Sequence, residues 1–243
     1  MKYLIAAFLF MTTFSIAQNT ALKVKLNDVN YEDSKWNKRK YTIKYQIENT
    51  TKNEVSFFLK PQTLIAHAAS SMTLYPVYKL YRNGILEIMD GPFMETMVPE
   101  INDIADFEDV KSLEAKAFMD KINKKYSDEF KLVIENYKKM GGTSTDNKFI
   151  FENNELLLSK ITLKPNEIKN FEIKTIWDKN RYIKDGENDF YLDEKDKFEI
   201  QINLILNKSN RKESLSEAEF NKFSKDSHFL EGIFVSNKME IVF

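Results

Sequence analysis

The chain has 243 residues, with 36 basic and 37 acidic side chains, a net charge of −1 and no cysteine. Balanced charge argues against nucleic acid, which calls for a clustered basic face, and gives no reason to expect an anionic membrane surface. The missing cysteine excludes thiolate catalysis, iron–sulfur clusters and the common structural zinc sites, and two histidines are too few for a histidine-rich metal centre.

Charged residues make up 30% and hydrophobic residues 42%, so the chain is of the globular class and core burial must supply the stability that disulfides do not. At the start, Lys2 precedes an apolar run from Leu4 to Phe14, and Ser15-Ile16-Ala17 follows with the small-x-small pattern of signal peptidase. The run is shorter than the roughly 20 residues that span a bilayer. No cysteine follows it to carry a lipid anchor. This reads as a signal peptide at 1–17, one mature domain at 18–243, and export to the periplasm or the extracellular space.

The mature chain alternates with period two. Leu22-Val24-Leu26 reads as a first strand. Tyr41, Ile43, Tyr45 and Ile47 form a buried phase, and Val55, Phe57 and Leu59 form another after the polar stretch Asn49 to Asn53. These two runs read as a β-hairpin. Val77–Tyr81 and Ile85–Met89 flank Asn83-Gly84, which suits a type I′ turn. Strands are also expected at Leu156–Leu163, Phe171–Trp177, Phe198–Leu206 and Met239–Phe243. Eight or nine strands of this kind predict an antiparallel sandwich.

Between Asp103 and Met140 the period changes to that of a helix, with Phe107, Val110, Phe118, Ile122, Tyr126, Phe130 and Ile134 on one stripe. Asp106 and Ser127 are the expected caps of two helices, and Gly141-Gly142 the stop. A helical insertion at about 95–147 in a mainly β domain is therefore expected. A shorter helix follows at 216–224, where Ser216 and Glu219 make a capping box.

Several of these features resemble the bacterial Ig-like sandwich family named for an intracellular proteinase inhibitor. Tyr45-Gln46-Ile47-Glu48-Asn49-Thr50 matches a strand ending in Asn-Thr. Tyr78 to Ile85 matches a strand, a Gly turn and a strand. Leu163-Lys164-Pro165-Asn166-Glu167, leading to Phe171 and Trp177-Asp178, is similar to the family's Leu-x-Pro-Gly-Glu, with Asn166 in place of Gly. The resemblance covers about 41–90 and 160–206. It implies an Ig-like antiparallel β-sandwich, and the family name raises proteinase inhibition as an activity.

Few residues stand out chemically. Asp185, Glu187, Asp189, Asp193 and Asp196 match the oxygen-ligand spacing of a calcium loop, although Phe190 occupies the usual Gly position. Gly142-Thr143-Ser144-Thr145-Asp146 is one glycine short of a nucleophile elbow. His67 lies in a small-residue segment after Pro61 and reads as structural or partner-facing. Trp36, within the polar stretch Asp33 to Lys40, is the candidate partner-binding residue, because exposed tryptophan is enriched at binding hot spots. Asn49-Thr50-Thr51 and Asn207-Lys208-Ser209 fit glycosylation sequons, but turn chemistry accounts for both.

The reading that follows is an exported, non-enzymatic binding protein without a cofactor or membrane span. Its expected partner is a protein of the cell envelope, recognised by the helical insertion. A secreted proteinase inhibitor and a hydrolase whose residues lie apart in sequence are the alternatives.

Overall fold

The computed structural model describes residues 21–34, 37–67, 74–87, 91–93, 107, 109–139, 143–180, 183–185, 188–190, 192 and 195–243. Its first long strand, β1 (Leu22–Asp33), turns back as β2 (Lys38–Asn49), and the two pair antiparallel from Leu22↔Asn49 to Asp33↔Arg39. On the other side β2 pairs with β8 (Ile168–Asp178) over its whole length. The first sheet thus has the order β1-β2-β8. Its apolar phase is Val24, Leu26, Ile43, Tyr45, Ile47 and Ile173, all buried.

β5 (Val77–Arg82) makes a hairpin with β6 (Ile85–Glu87) and pairs antiparallel with β11 (Phe198–Leu206). β11 pairs in turn with β12 (Gly232–Ile241), and the short β4 (Ile65–Ala66) joins β5 in parallel. Phe198, Ile200, Ile202 and Leu204 of β11 enter the same apolar cluster as Ile43 and Tyr45 of β2. Two sheets therefore share one core. β9 (Ile183–Asp185) and β10 (Asn188–Phe190) pair with each other, and strand outweighs helix, as expected for a mainly β chain.

The Asn83-Gly84 turn has φ of 52° and 84°, the left-handed pair that type I′ requires, and Asn166 takes φ of 59°. Pairing departs from the sequence reading at one point. β3 (Val55–Phe58) does not fold back on β2; it pairs with β7 (Lys160–Leu163). Alternation reports which face is buried and is silent on the partner. Here all four residues of β3 are buried, and the chain crosses from one ladder to another at Asn49–Asn53.

Asn49 holds that crossing. Its side chain is fully buried, and Nδ2 donates to the carbonyls of Asn53, Leu163 and Lys164 at 2.8, 3.1 and 3.0 Å. Its Oδ1 accepts from the N–H and hydroxyl of Thr51. The two turn motifs quoted above for the resemblance are thus neighbours in space.

Helix α1 (Leu113–Lys139) runs unbroken through Ser127, so the expected second cap there is absent and Phe118 to Ile134 lie on one helix; Phe107 and Val110 precede it, and Asp106 and Gly141-Gly142 lie outside the described residues. A second helix, α2 (Asn147–Leu158), begins at Asp146, whose side chain accepts from the Lys148 N–H. It includes Leu156 to Leu158, which the sequence assigns to a strand; a three-residue apolar run fits either period. Leu156 packs with Phe58, Leu215, Phe223 and Phe229 in a second cluster. Lys60 and Glu155 form an ion pair across the same junction. The capping box of α3 (Glu217–Lys225) is present as expected, with Ser216 Oγ accepting from the Glu219 N–H. Among the described residues no helix is long and apolar enough to cross a membrane.

β1 and β12 belong to different sheets yet run close together, and one side chain bonds the backbone across them. Each carries an irregularity, β1 between Leu26 and Asp28 and β12 at Ser236-Asn237, opposite Ile202. Asn237 Oδ1 accepts from the Leu26 N–H at 2.9 Å, and Nδ2 donates to the Leu26 carbonyl at 3.3 Å. The amide side chain replaces a peptide group.

Candidate functional site

β1 and β2 close towards Ser34, whose N–H donates to the Lys38 carbonyl at 2.7 Å, and the ends of the two strands are held by charge. Arg39 lies on the inward phase with Tyr41 and is only 5% exposed. Its Nε and Nη2 grip both carboxylate oxygens of Asp33 at 2.6 and 3.0 Å, and Nη1 donates to the Val242 carbonyl at 3.1 Å. The guanidinium lies 4.1 Å from the centre of the Tyr31 ring, a cation–π distance. Tyr41 Oη donates to the same Val242 carbonyl at 2.7 Å. Around it Phe93, Trp177, Phe198 and Phe243 stack at 5.1–5.9 Å, mostly tilted or edge-on.

This arrangement fixes protonation states. The hydrogen bond from Arg39 holds the Asp33 carboxyl at about 2, outweighing burial, and Lys179 lowers it further. The same bond raises Arg39. Burial pushes the Tyr41 hydroxyl well above its ordinary range. Beside these strand ends, Asn37 takes φ of 56°, its Nδ2 donates to Asn180 Oδ1 at 2.6 Å, and its carbonyl accepts from the Lys179 N–H.

The outward face of the same sheet carries a cleft. Register aligns Asn30, Thr42 and Lys174 across the three strands, then Tyr31, Tyr41 and Thr175, then Glu32, Lys40 and Ile176. These nine residues line a concavity of about 260 Å³. Tyr41 points to the aromatic core and Tyr31, half in solvent, packs against its ring, so the middle row contributes floor; Asn30, Thr42, Lys174, Glu32 and Lys40 lie on the outward phase, with Ile176 buried beside them. Lys40 and Lys174 are diagonal neighbours, a spacing of roughly 7–8 Å between strands.

The residues singled out from sequence fare differently. Trp36 lies outside the described residues, as do Glu187 and Asp193. In the β9–β10 ladder Asp185 pairs with Asn188 and Asp189 with Lys184. Asp196 has a structural use: its Oδ1 accepts from Asn83 Nδ2 at 3.2 Å and its Oδ2 lies 3.7 Å from Arg82 Nη1, tying the β5–β6 turn to the start of β11. Among the described residues no group of three His, Asp or Glu side chains is placed to hold a metal ion.

Ser144 Oγ accepts from the Asp146 N–H, in the turn that leads into α2. His67 follows β4, its N–H donating to the Tyr78 carbonyl, and burial with the nearby Lys79 lowers its imidazole. Asn49 is fully buried, so the first sequon is a turn lock. The cleft was not visible in the sequence, since it is made of polar residues at alternate positions of three strands.

Comparison of the chain with protein-family models, curated proteins and solved structures finds no match.

Proposed function

We propose that this is an exported, non-enzymatic binding protein, an Ig-like sandwich whose two sheets form the frame and whose helix α1 meets a protein partner in the cell envelope. The observation that carries the reading is α1 itself. In 27 residues it buries only Ala115 and Ile122. A half-buried apolar stripe (Phe118, Met119, Tyr126, Phe130, Val133, Ile134 and Tyr137) runs along one side, and Phe130 meets Phe151 of α2 at 5.5 Å. Leu113 and Leu132 stand in solvent, 84% and 54% exposed. A long amphipathic helix owes its stability mainly to what covers its apolar face, and such a face is a common recognition element. The shared core of the two sheets and the crossing at Asn49 support the sandwich. Trp36, which falls between β1 and β2 in the sequence, is the second proposed contact.

The test is a crosslinking pull-down from a native cell-envelope fraction with tagged residues 18–243 as bait. One dominant protein, lost with the L113E/L132E double variant and weakened by W36A, is expected. Undiminished capture by the double variant would remove α1 from recognition. A captured protease whose activity the bait suppresses would favour the inhibitor, and turnover of a captured component would favour the hydrolase.

A further inference from the structure

We propose that the outward cleft of the β1-β2-β8 sheet binds a small organic anion that also carries hydroxyl groups, a sugar acid being the simplest such molecule. The site lies on the opposite face of the sheet from the Arg39 cluster and does not depend on the protein-partner reading.

Size limits the ligand first. At about 260 Å³ the cleft is smaller than the roughly 300–1,000 Å³ of drug-sized pockets, so it suits a single sugar ring or a comparable metabolite. Charge then selects its sign. Lys40 on β2 and Lys174 on β8 are offset by two register positions and so share a face, and one carboxylate can sit between two ammonium groups. Each lysine also has a contact of its own in the folded chain, which the anion would share or displace.

The remaining lining supplies hydroxyl recognition. Thr42 separates Lys40 from Lys44 on its strand and faces Asn30 across the ladder; its hydroxyl and the Asn30 amide can each donate and accept. Glu32, opposite Lys40, is an acceptor for ligand hydroxyls and disfavours a second anionic group at its end of the cleft. Ile176 is fully buried and contributes floor, so recognition rests on the polar groups of the lining. Glu32 on β1 and Lys174 on β8 stand at opposite edges of the cleft with Lys40 and Thr42 of β2 between them, which suits a ligand whose one negative end lies towards β8. Rigid ladders on both sides of β2 hold these groups without reorganisation, which favours binding of a small molecule.

The test is isothermal titration of residues 18–243 with glucuronate, galacturonate, glucose and inorganic phosphate at fixed salt, with amide chemical-shift mapping of the same titrations. Saturable binding of a uronate at least tenfold tighter than glucose is expected, with shifts clustered at 30–32, 40–42 and 174–176. K40A and K174A should each weaken it at least fivefold. Near-UV circular dichroism checks that the lysine variants are folded, and T42V gives an independent, charge-neutral loss of affinity. No saturable binding of either uronate would overturn the proposal. Equal affinity for glucose, shifts elsewhere, or full affinity in the K40A/K174A double variant would overturn it as well. Tighter binding of phosphate than of either uronate would also reject it, since a bare inorganic anion would then suffice.

Discussion

Asn49 donates to the carbonyl of Leu163 at 3.1 Å across 114 residues of sequence, and in doing so ties the end of β2 to the turn that precedes β8. One amide thereby fixes two chain crossings between ladders.

Replacing it should be costly. N49A leaves the Leu163 and Lys164 carbonyls without their donor in a buried place, and a loss of about 2–4 kcal/mol in urea unfolding is expected. N49D, nearly the same shape, should be at least as damaging, because an acceptor would face three carbonyls. A loss below 1 kcal/mol for both would show that the crossing is held by something else.

The Arg39 clamp gives a second test. R39M keeps much of the packing and removes the hydrogen bonds to Asp33 and Val242, for an expected loss of about 2–3 kcal/mol. R39K should recover only part of it, because an ammonium cannot grip both carboxylate oxygens. Equal stability of R39K and the parent protein would count against the bidentate grip.

Acid sensitivity should follow from Asp33. Its carboxyl lies at about 2 in the folded chain against an ordinary 3.8, so its ionised form favours the fold. That stabilisation is complete above the ordinary value and is lost as pH falls towards 2. Glu219 and Glu231 act in the same sense: burial raises each, but hydrogen bonds from Ser216 and Asn153, and from Ser209 and Lys208, outweigh it. Between about pH 4 and pH 2, urea midpoints should fall for the parent protein and fall less steeply for D33N. Matching slopes for the two proteins would remove Asp33 from the account.

Hydrogen exchange should separate the helix from the sheets. α1 has two buried residues, whereas β2 and β11 are paired on both sides and supply the shared core. Amides of α1 should exchange through local opening well before those of Ile43 and Ile202, which are expected to need global unfolding. Uniform protection would mean that α1 is part of the same cooperative unit.

Local chemistry was legible in the sequence wherever a residue type has one strong preference. Asn83-Gly84, Asn166 and the Ser216–Glu219 box all appear where backbone sterics and capping place them. Burial was legible too, since the alternation of Tyr41 to Ile47 and of Phe198 to Leu206 matches the core. Strand partners were not, because period two is the same for any neighbour, and β3 went to β7 and not to β2. Leu156 to Leu158 joined a helix because Asp146 caps it and the Phe58–Phe223 cluster receives it. The cleft needed the register of three strands, which relates Asn30, Lys40 and Lys174 only after folding.

The Asn237 contact with Leu26 has a consequence for behaviour in concentrated solution. β1 and β12 are outer strands, and outer strands with free N–H and C=O groups recruit other chains into growing ladders. By spending its own amide on the Leu26 backbone, Asn237 occupies the place where a foreign strand would begin to add, and the paired irregularities interrupt the flat template on either side. N237A should therefore show itself less in the melting of the monomer than in fibril seeding and turbidity on storage, a defect of colloidal lifetime in an otherwise intact fold.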